Sequence, residues 1–534
     1  MKNCIINLIN IKIEKNIQIE CICKYKKNDE ISIITDNTND CIIDYQKINF
    51  SKEFNITKIN LTINNIKENI IKFKIEKNGK IYNAIILDNK NNEITQNSYT
   101  IFVKKYKINI SKNQIEIKNK NFFDKIIYEL NKQIYSIKKY YKFCFIRLLS
   151  KKNKKYYLFN DRIMYADDNA EQLFKYINKT DKKMAKYSYF VLDKNSPKLS
   201  ELKKIGKVLI YGSLKHKLKY LNCKMVISSH ASYFDKVYNP FNEYEMDLLK
   251  DLITKKFVFL QHGVIFNDVH EMLNRPQIIA DLFITTTNVE YNEIKSPKYM
   301  YDKNMIACTG LARFDKLLEG EKENIILIAP TWRMYLTDSQ YKNGNKQLFK
   351  KSSFYIEYKK VLENRQLLES LKKYNFKIKF LLHPAFLQFR KEFEKYKNDF
   401  IDILTTQDAT YSELFKQCSI FVTDYSSTHF DIAYMKKPII YYQFDIEKFY
   451  ESHYDKGYFD YETDGFGDVV YNEEELVKEL VNCIKNGCYI KDKYNDRINK
   501  TFKYIDQNNS KRIYEEIKKI DDNQEKNYRF NNVH

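Results

Sequence analysis

Apolar residues recur along this chain in three different patterns, and each pattern predicts a different kind of element. Up to about residue 112, Ile and Phe alternate with charged residues, and Asn-Gly and Asn-Asn pairs separate the short runs, as in KFKIEKNGKIYNAIILDNKNNEI. An alternation with a period of two residues is typical of strands that bury one face, and such Asn pairs favour turns. We therefore predict a small antiparallel, β-rich domain over residues 1–112.

A helical pattern follows in residues 113–154. Apolar side chains recur there at spacings of three and four residues, namely Phe123, Ile126, Ile127, Leu130, Ile134, Ile137 and Tyr141. This spacing predicts one long amphipathic helix. Basic residues crowd its end, namely Lys138, Lys139, Lys142, Arg147, Lys151, Lys152, Lys154 and Lys155. Basic heads with apolar neighbours suit an anionic membrane surface; the alternative is a helix between domains with a solvated basic face.

Beyond residue 155 the apolar runs are short, uninterrupted and separated by segments of helical length. The first series contains KYYLFN, YSYFVLD, KVLIYGS, KMVISSH, KFVFLQHG, DLFITTT and MIACTG, and the second contains NIILIAPTWR, FKIKFLLHP, FIDILTT, CSIFVTD and PIIYYQ. Runs that are apolar throughout indicate parallel strands buried on both faces. The predicted fold class is α/β, with two Rossmann-like domains, at residues 155–318 and 319–520, facing a cleft. We expect residues 521–534 to form a disordered tail.

Polar residues follow four of these predicted strands. They are His262 and Gly263 after FVFLQ, Thr331 to Arg333 after IILIAP, His383 and Pro384 after IKFLL, and Asp424 to Ser427 after SIFVT. Ligands of open parallel sheets bind beyond the carboxyl ends of the strands. We therefore expect the four strand ends to point toward one cleft. His230, which ends the run ISSH, is a weaker candidate of the same kind.

The stretch VTDYSSTHFDIAYMKKPIIYYQ (422–443) combines a strand end, a turn and a predicted helix. The first amides of a helix are unpaired and its dipole favours an anion, so Ser426, Ser427 and the adjacent N–H groups can hold a phosphate. Asp431 lies one turn after Ser427, where it can accept hydrogen bonds from a polyol hydroxyl. The alternative is that Asp424 and the serines only cap the helix.

Composition changes this picture only in part. The chain has 534 residues and a formal net charge of +22, which fits two or three domains and favours an anionic partner such as nucleic acid, an acidic membrane or a phosphate-rich substrate. Lys, Asn, Ile and Tyr are abundant throughout, so a generally basic surface is an equal alternative.

Cysteine usage and hydropathy restrict the compartment. The ten cysteines are scattered without a C-x-x-C pair, which argues against a zinc or redox motif of that spacing. The N-terminus has no cleavable signal pattern, and no run approaches the ~18 apolar residues needed to cross a bilayer. We expect a cytoplasmic protein with reduced thiols.

Seven segments, in this order and spacing, resemble the CDP-glycerol glycerophosphotransferase family, which includes the teichoic acid glycerol- and ribitol-phosphate polymerases. They are FNDRIMYADDNAEQLFKYI (159–177), LIYGSLKHK (209–217), VFLQHGVIFND (258–268), TGLARFD (309–315), APTWR (329–333), LLHP (381–384) and VTDYSSTHFDIAYMKKPIIYY (422–442). The resemblance covers roughly residues 155–510. It implies a GT-B fold and the transfer of glycerol phosphate or ribitol phosphate from a CDP-activated donor, with release of CMP.

The resemblance also implies roles for individual residues. His262 would be the catalytic base, with His383 as a second catalytic residue. The donor would be held by Gly263, Arg313, Thr331, Trp332, Pro384, Ser426, Ser427 and Asp431. We add His230 and Asp268 as candidates for the acceptor side.

The implied partners follow from the same resemblance. The acceptor would be a polyol-phosphate or glycan of a cell-surface polymer such as a teichoic acid or capsule, and we expect it to be lipid-linked. Together with the basic helix, this predicts peripheral attachment to an anionic membrane surface, on the inner face of the cell membrane. We expect no cofactor, no metal ion and no nucleic acid.

The chemistry requires groups of this kind. An acceptor hydroxyl must lose a proton as it attacks the β-phosphorus, and a neutral histidine such as His262 can take it near physiological pH. The phosphates need fixed positive potential, which Arg313, His383 and the amides after Asp424 could provide without a metal.

One departure and two alternatives remain at this point. After the strand many relatives read HGTPLK, whereas this chain has HGVIFND at 262–268; a hydroxyl and a lysine are missing, so the choice between glycerol and ribitol stays open. A GT-B glycosyltransferase using a nucleotide-sugar would share the cleft but not the whole set of motifs. A non-catalytic basic protein that binds nucleic acid or wall polymer would explain the charge but not the four strand ends.

Overall fold

The N-terminal region is built from two sheets that share one core. In this computed structural model, the described residues are 5–521 and 526–529, apart from 14–15, 37–40, 52, 64–68, 89–99, 104–105, 112–113, 121–122, 125, 129, 132–133, 135–145, 151–153, 232–238, 243–244, 247–248, 250–251, 337–345 and 453–454. The strands are β1 (Ile5–Ile13), β2 (Ile17–Lys26), β3 (Ile31–Asp36), β4 (Cys41–Asn49), β5 (Phe54–Ile63), β6 (Asn69–Lys77), β7 (Lys80–Asn83), β8 (Ile85–Asp88), β9 (Thr100–Val103), β10 (Tyr106–Ile110) and β11 (Ile115–Asn119).

The order of these strands confirms the predicted β-rich domain. One sheet runs β1-β2-β5-β4 with β8 beside β1, and the other runs β3-β6-β11-β10-β9 with β7 beside β6. Alternating residues such as Ile19 and Leu61 of the first sheet pack against Phe73 and Ile117 of the second. The period-two pattern of the sequence is thus the inward face of each sheet.

The β-rich region extends beyond its predicted end at residue 112, and a strand from the far end of the chain also joins it. Strand β11 ends at Asn119, beyond residue 112. The segment predicted as a disordered tail contributes a strand, β25 (Lys526–Arg529), which pairs antiparallel with β1. Residues 526–529 thereby pair with backbone groups of β1 that would otherwise be unpaired on that side.

The middle of the chain forms a seven-stranded parallel sheet, and all seven predicted runs are strands in it. They are β12 (Tyr156–Asn160), β13 (Ser188–Leu192), β14 (Val208–Ile210), β15 (Cys223–Ser228), β16 (Lys256–Phe259), β17 (Leu282–Thr285) and β18 (Ile306–Cys308), in the order β14-β13-β12-β15-β16-β17-β18. The α-helices around it are Asn169–Thr180, Lys182–Ala185, Leu199–Ile205, Leu214–Leu221, His270–Leu273, Arg275–Ile278 and Asn288–Ile294, with 3-10 turns at Pro297–Tyr299, Lys303–Met305 and Ala312–Lys316.

A second parallel sheet follows. Its strands are β19 (Ile325–Ile328), β20 (Lys377–Leu381), β21 (Ile401–Leu404), β22 (Ile420–Thr423), β23 (Ile439–Tyr442) and β24 (Gly467–Val470), in the order β21-β20-β19-β22-β23-β24. Its α-helices are Lys346–Lys350, Ser353–Glu363, Arg365–Tyr374, Arg390–Glu394, Tyr411–Gln417, His429–Tyr434, Ile446–Ser452, Glu473–Lys485 and Asp492–Thr501, with 3-10 turns at Met334–Leu336 and Pro384–Phe389. Five of the six strands were predicted; β24 was missed because its sequence, GDVV, has only two consecutive apolar residues.

The last described α-helix, Asn509–Asp521, returns to the first parallel sheet. Its buried residues Ile513 and Ile517 pack in the same cluster as Phe174 and Leu192. All of this helix but its last residue lies within residues 319–520, predicted as the second α/β domain, but its apolar stripe packs against the first α/β unit.

The β-rich region is fixed to the first parallel unit by buried charge and apolar packing. The fully buried Arg275 donates from Nε to both carboxylate oxygens of Glu20 at 2.8 and 2.9 Å. Phe50 packs with Ile279 and Met300 in a separate small cluster.

The predicted amphipathic helix falls largely outside the described residues. Within residues 113–154, positions 123, 124, 126–128, 130, 131 and 134 are helical, and so are 146–149. Of the predicted basic cluster, Lys138, Lys139, Lys142, Lys151 and Lys152 lie outside the described residues. Arg147 is 3% exposed, so it is not part of a basic surface. Among the described residues, no helix combines the length and the apolar character needed to span a membrane.

Candidate active site

In both parallel sheets, the direction in which successive strands are added reverses beside the candidate residues. In the first sheet the chain builds β12, β13 and β14 to one side and then adds β15 on the other side of β12; in the second sheet β19 and β22 stand in the same relation. Loops separate at such a topological switch point and leave a crevice beyond the carboxyl ends of the strands. His230 follows β15, and Thr331 and Asp424 follow β19 and β22. His262 follows β16, the strand next to β15.

His262 is presented by a braced turn. The preceding residue, Gln261, is buried and has a positive φ of 61°, a conformation that non-glycine residues seldom adopt. Three contacts hold it: its side-chain amide donates to Ile284 O and to Glu290 Oε1, and its carbonyl accepts from Asn169 Nδ2 at 2.6 Å. The next side chain, His262, is exposed. The turn therefore directs this imidazole out of the sheet.

His230 lies against His262. The two rings stack with centroids 5.0 Å apart and 15° between their planes. Burial, reinforced by His262, Arg162 and Arg313 and opposed by Asp168, lowers the pKa of His230 to about 3. Its ring is therefore neutral at physiological pH, and its Nε2 lies 3.8 Å from Asp168 Oδ2.

Arg313 joins the two parallel units. Its Nε and Nη2 donate to the two carboxylate oxygens of Asp431 at 2.9 and 2.7 Å, and Nη1 donates to Asp168 Oδ1 at 3.1 Å. Nη1 also donates to the carbonyl of His262. The guanidinium predicted to meet donor phosphate is thus surrounded by protein oxygens, and the carboxylate of Asp431 predicted to meet a polyol is paired with it.

The serine turn after β22 meets the His262 turn. A Cβ added to Gly263 would lie 3.1 Å from Ser427 Oγ, so a glycine at this position lets the two turns approach. Ser426 Oγ lies 2.8 Å from Thr428 Oγ1 and accepts the N–H of Thr428 at 3.3 Å. The helix itself begins at His429, and the capping residue Thr428 makes no side-chain capping bond. Asp424 does not cap this helix either.

Asp424 instead belongs to a buried network that the sequence analysis did not predict. Its Oδ1 accepts the N–H of Thr331 at 2.8 Å and that of Tyr425 at 2.6 Å. Its Oδ2 pairs with Nη1 of the fully buried Arg333 at 2.8 Å, and Arg333 also donates to both oxygens of Asp445. One guanidinium therefore ties together the turns after β19, β22 and β23. Arg333 is the last residue of the motif APTWR (329–333), and this arginine directly after a predicted strand is the one feature of the sequence that pointed to the network.

The other wall of the cleft carries Trp332 and His383. Their rings stack with centroids 6.2 Å apart and 23° between the planes. His383 Nδ1 accepts the N–H of Ala385 at 3.2 Å, which leaves the ring proton on Nε2. Burial, followed by the charge of Arg162, lowers the pKa of His383 to about 4. His383 is therefore neutral at physiological pH and can donate a hydrogen bond but does not supply the fixed positive charge expected of it. Pro384 follows and is exposed.

Asp268 lies apart from this group. Its carboxylate pairs with His270 at 2.7 Å and with Lys298 at 3.1 Å. His270 in turn contacts the carbonyl of Phe50, in the β-rich region. These contacts lower the pKa of Asp268 against the opposing effect of burial. Its assignment to the acceptor side is not supported by this geometry, because the side chain is bound at the interface with the β-rich region.

Asp161 and Asn169 are site residues that the sequence analysis quoted in a motif but did not assign. The carboxylate of Asp161 is buried and accepts the N–H groups of Asp168, Ala170 and Glu171 at 3.2, 3.0 and 3.2 Å. It thereby closes the loop 161–168 onto the start of the helix Asn169–Thr180. Asn169 Oδ1 accepts the N–H of Arg313 at 2.9 Å, so this one amide positions both the His262 turn and Arg313.

The described residues contain no group of three or more His, Cys, Asp or Glu side chains arranged to hold a metal ion.

Comparison with known proteins connects this geometry to a family. The sequence profile of CDP-Glycerol:Poly(glycerophosphate) glycerophosphotransferase matches residues 140–519. The minor teichoic acid biosynthesis protein GgaB of Bacillus subtilis (strain 168) is 40% identical over 375 residues, which cover 69% of this chain and 40% of that protein. The teichoic acid poly(glycerol phosphate) polymerase of Bacillus spizizenii is 27% identical over 290 residues, which cover 54% of this chain and 60% of that protein. The chain thus matches 40% and 60% of the lengths of these two relatives, less than two thirds of each.

A solved structure of the wall teichoic acid polymerase TagF superimposes with a TM-score of 0.51 at 17% identity, and covers 75% of this chain and 99% of that one. A TagF variant soaked with CDPG gives a TM-score of 0.52. At this identity the likeness concerns the fold, which is an α/β fold with parallel sheets.

Proposed function

The chain belongs to the CDP-glycerol:poly(glycerophosphate) glycerophosphotransferase family, and from this membership we propose that it transfers a polyol phosphate from a CDP-activated donor to an acceptor hydroxyl, with release of CMP. The observation that carries the proposal is the His262 turn. An exposed imidazole lies beside the buried, neutral His230. The turn also meets the serine turn of the opposite unit at Gly263.

His262 acts as the general base in this proposal. The acceptor oxygen forms a bond to the β-phosphorus as its proton passes to the imidazole, and the bond between that phosphorus and the bridging oxygen breaks. CMP leaves with the bridging oxygen. Proton transfer to a positioned histidine contributes about 10²–10⁴-fold to such a reaction.

The donor lies against the second unit. The Nε2–H of His383 and the hydroxyls of Ser426 and Ser427 supply hydrogen-bond donors for the diphosphate. Trp332, stacked on His383, offers an aromatic face beside them. Thr331 and Pro384 flank this wall, and the Asp424 and Arg333 network holds the turn that carries Thr331. Arg313 and Asp431 position the two units across the cleft.

We further propose that the two parallel units act as the two halves of a GT-B enzyme and that the acceptor is a lipid-linked teichoic acid or related polymer. The family and the TagF likeness support this arrangement. Peripheral attachment to the inner face of the membrane fits such an acceptor. It is supported by exposed apolar side chains on the described helical residues of this segment, of which Phe123 is 64% exposed and Leu130 is 54% exposed.

The test is mass spectrometry of products after incubation with CDP-glycerol or CDP-ribitol and a synthetic acceptor that carries a short polyol-phosphate chain. We expect the acceptor to gain one polyol phosphate for each CMP released. UDP-sugars serve as control donors. Sugar transfer, or a folded protein that releases no CMP from either CDP-polyol, would contradict the proposal.

A further inference from the structure

The loop that follows β12 carries an arginine without an assigned role. Asn160, the last residue of β12, pairs with Ser228 of β15, and its carbonyl accepts the N–H of Ser229 at 3.2 Å. Arg162 therefore leaves the sheet at the switch point, two residues beyond the strand and next to the segment that ends in His230. Ligands of such sheets bind at this place.

The loop is held in shape independently of Arg162. Asp161 is 1% exposed and accepts three backbone N–H groups of residues 168–171 and the hydroxyl of Ser229. Because both ends of the loop 161–168 are fixed on one carboxylate, the backbone that presents Arg162 is ordered before any ligand arrives. Arg162 itself is exposed.

Arg162 differs from the other arginines of the cleft in its partners. The Arg313 guanidinium is bound by Asp431, Asp168 and a carbonyl, and Arg333 is buried against Asp424 and Asp445. Among the residues that the structure describes, Arg162 has no hydrogen-bond or ion-pair partner. Its charge does act on Asp167, since burial raises the pKa of that carboxyl and Arg162 opposes the rise. A guanidinium that the protein leaves unpaired in a cleft is available to an anion.

The charge of Arg162 reaches both histidine pairs. After burial, which dominates in each case, Arg162 contributes to the lowered pKa of His230, which stacks on His262, and of His383, which stacks on Trp332. It also acts on Tyr411, at the start of a helix of the second unit, against the raising effect of burial. Arg162 thus belongs to the first unit, and its charge acts on groups of both units.

We propose that Arg162 binds a substrate phosphate in this cleft. Arg313 cannot take this role while its guanidinium is paired with Asp431 and Asp168. The inference rests on the proposed function for the identity of the substrate, and its chemistry is the planar, bidentate pairing of a guanidinium with phosphate oxygens. Two substrates carry such a group: the diphosphate of a CDP-polyol donor and a phosphodiester of a polyol-phosphate acceptor.

The experiment compares Arg162→Gln and Arg162→Lys with the wild type in a donor arm and an acceptor arm. In the donor arm, calorimetry measures the Kd of CDP-glycerol, CDP and inorganic pyrophosphate. In the acceptor arm, KM is measured for an acceptor with a polyol-phosphate chain and for a neutral glycan acceptor. Loss of a charge-assisted hydrogen bond predicts a rise of about 10- to 100-fold for Arg162→Gln in one arm, with partial rescue by lysine, which keeps the charge but not the fork.

The control is Lys372→Gln. Lys372 is exposed in the last turn of the helix Arg365–Tyr374. That turn leads to the amino end of β20, so Lys372 lies at the edge of the sheet opposite the cleft. The variant therefore removes one positive charge far from the proposed phosphate site. We expect it to behave as the wild type in both arms.

Each outcome is decisive. Weaker binding of CDP and pyrophosphate identifies the donor diphosphate, and a higher KM for the phosphodiester acceptor alone identifies the acceptor. Values unchanged in both arms, or changed equally by Lys372→Gln, overturn the assignment. A wild type that binds pyrophosphate through Arg162 but transfers nothing from a CDP-polyol would refute the proposed function while leaving the phosphate site standing.

Discussion

At the scale of single residues, the cleft is organised around the backbone as much as around the reactive side chains. Gln261 adopts a positive φ because its amide, its carbonyl and the neighbouring N–H of Ile265 are all bound, the last by Glu290 Oε1 at 2.7 Å. The imidazole of His262 owes its position to these contacts. The reactive group and the groups that position it can therefore be separated by substitution.

The first prediction concerns His262→Ala. Because this side chain is exposed and fills no core, the variant should keep the melting temperature of the wild type within a degree or two. Transfer should fall about 10²-fold or more, since no other group in this turn can take the proton. CMP release and thermal denaturation are measured on the same preparation; a well-folded variant with near-normal turnover would remove His262 from the mechanism.

The second prediction tests the approach of the two turns. In Gly263→Ala, the new Cβ would lie 3.1 Å from Ser427 Oγ, so the serine must shift by a few tenths of an ångström. We expect a loss of roughly 10-fold in kcat/KM, since small displacements of positioned groups are costly. Ser427→Ala should cost less in the Gly263→Ala background than in the wild type. Additive losses in this double-mutant cycle would mean that the two turns act independently.

The candidate site could be predicted from sequence as a set of strand ends but not as a network. The sequence shows which histidines follow apolar runs. Because the carboxyl ends of parallel strands meet at one edge of a sheet, these histidines can be predicted to lie near one another. The pairing of Arg313 with Asp431, 118 positions apart, depends on how the two units face each other. His383 was predicted to supply positive charge, because the burial that lowers its pKa is a tertiary effect that the sequence does not reveal.

At the scale of elements, parallel strands were the easiest to predict. Most of them are buried on both faces and read as apolar runs, whereas β20 (KIKFL) and β21 (IDIL) carry charged residues at less buried positions; the twelve predicted runs are all strands. Element ends were less predictable, since the helix after Ser427 is six residues long and stops well before Pro438. Strand β25 was missed because its pairing partner is β1, at the other end of the chain.

The third prediction concerns Ile126 and Leu130, two of the described helical residues that follow the β-rich region. Ile126 is 46% exposed and Leu130 is 54% exposed, which is the arrangement expected of a helix that lays an apolar face on a membrane. Ile126→Gln with Leu130→Gln should weaken binding to anionic vesicles by roughly 10-fold for each side chain. Turnover on a short soluble acceptor should not change, because the cleft is built from later residues.

Vesicle flotation is the measurement for this prediction, with Ile356→Gln as the matched control. Ile356 is 38% exposed on a helix of the second unit. If basic groups contribute, binding should also fall between 0.1 M and 1 M salt, as the Debye length shortens from about 10 Å to about 3 Å. Equal flotation of all three proteins would show that the helix packs against protein instead.

At the scale of the whole molecule, aromatic packing holds the two parallel units together behind the cleft. Phe266, on the loop after His262, packs against Phe430 and Phe459 of the second unit. His429 lies in the middle of this group, with its ring 5.2 Å from that of Phe266 and its Nδ1 2.8 Å from the hydroxyl of Tyr441. A charge at His429 would therefore be placed inside the contact between the units.

The last prediction follows from the titration of His429. Burial lowers its pKa from 6.5 to about 3, so the folded state resists protonation while the unfolded chain binds a proton below about pH 6.5. Between those values the unfolded state holds more protons, and the contribution of His429 to the free energy of unfolding falls as the pH falls, by about 2 kcal/mol between pH 7 and pH 5. His429→Phe removes this titration and keeps an aromatic ring in the cluster. Urea denaturation of both proteins at the two pH values should show the variant gaining that amount relative to the wild type on acidification; a difference independent of pH would mean that His429 is protonated in the folded state as readily as in the unfolded one.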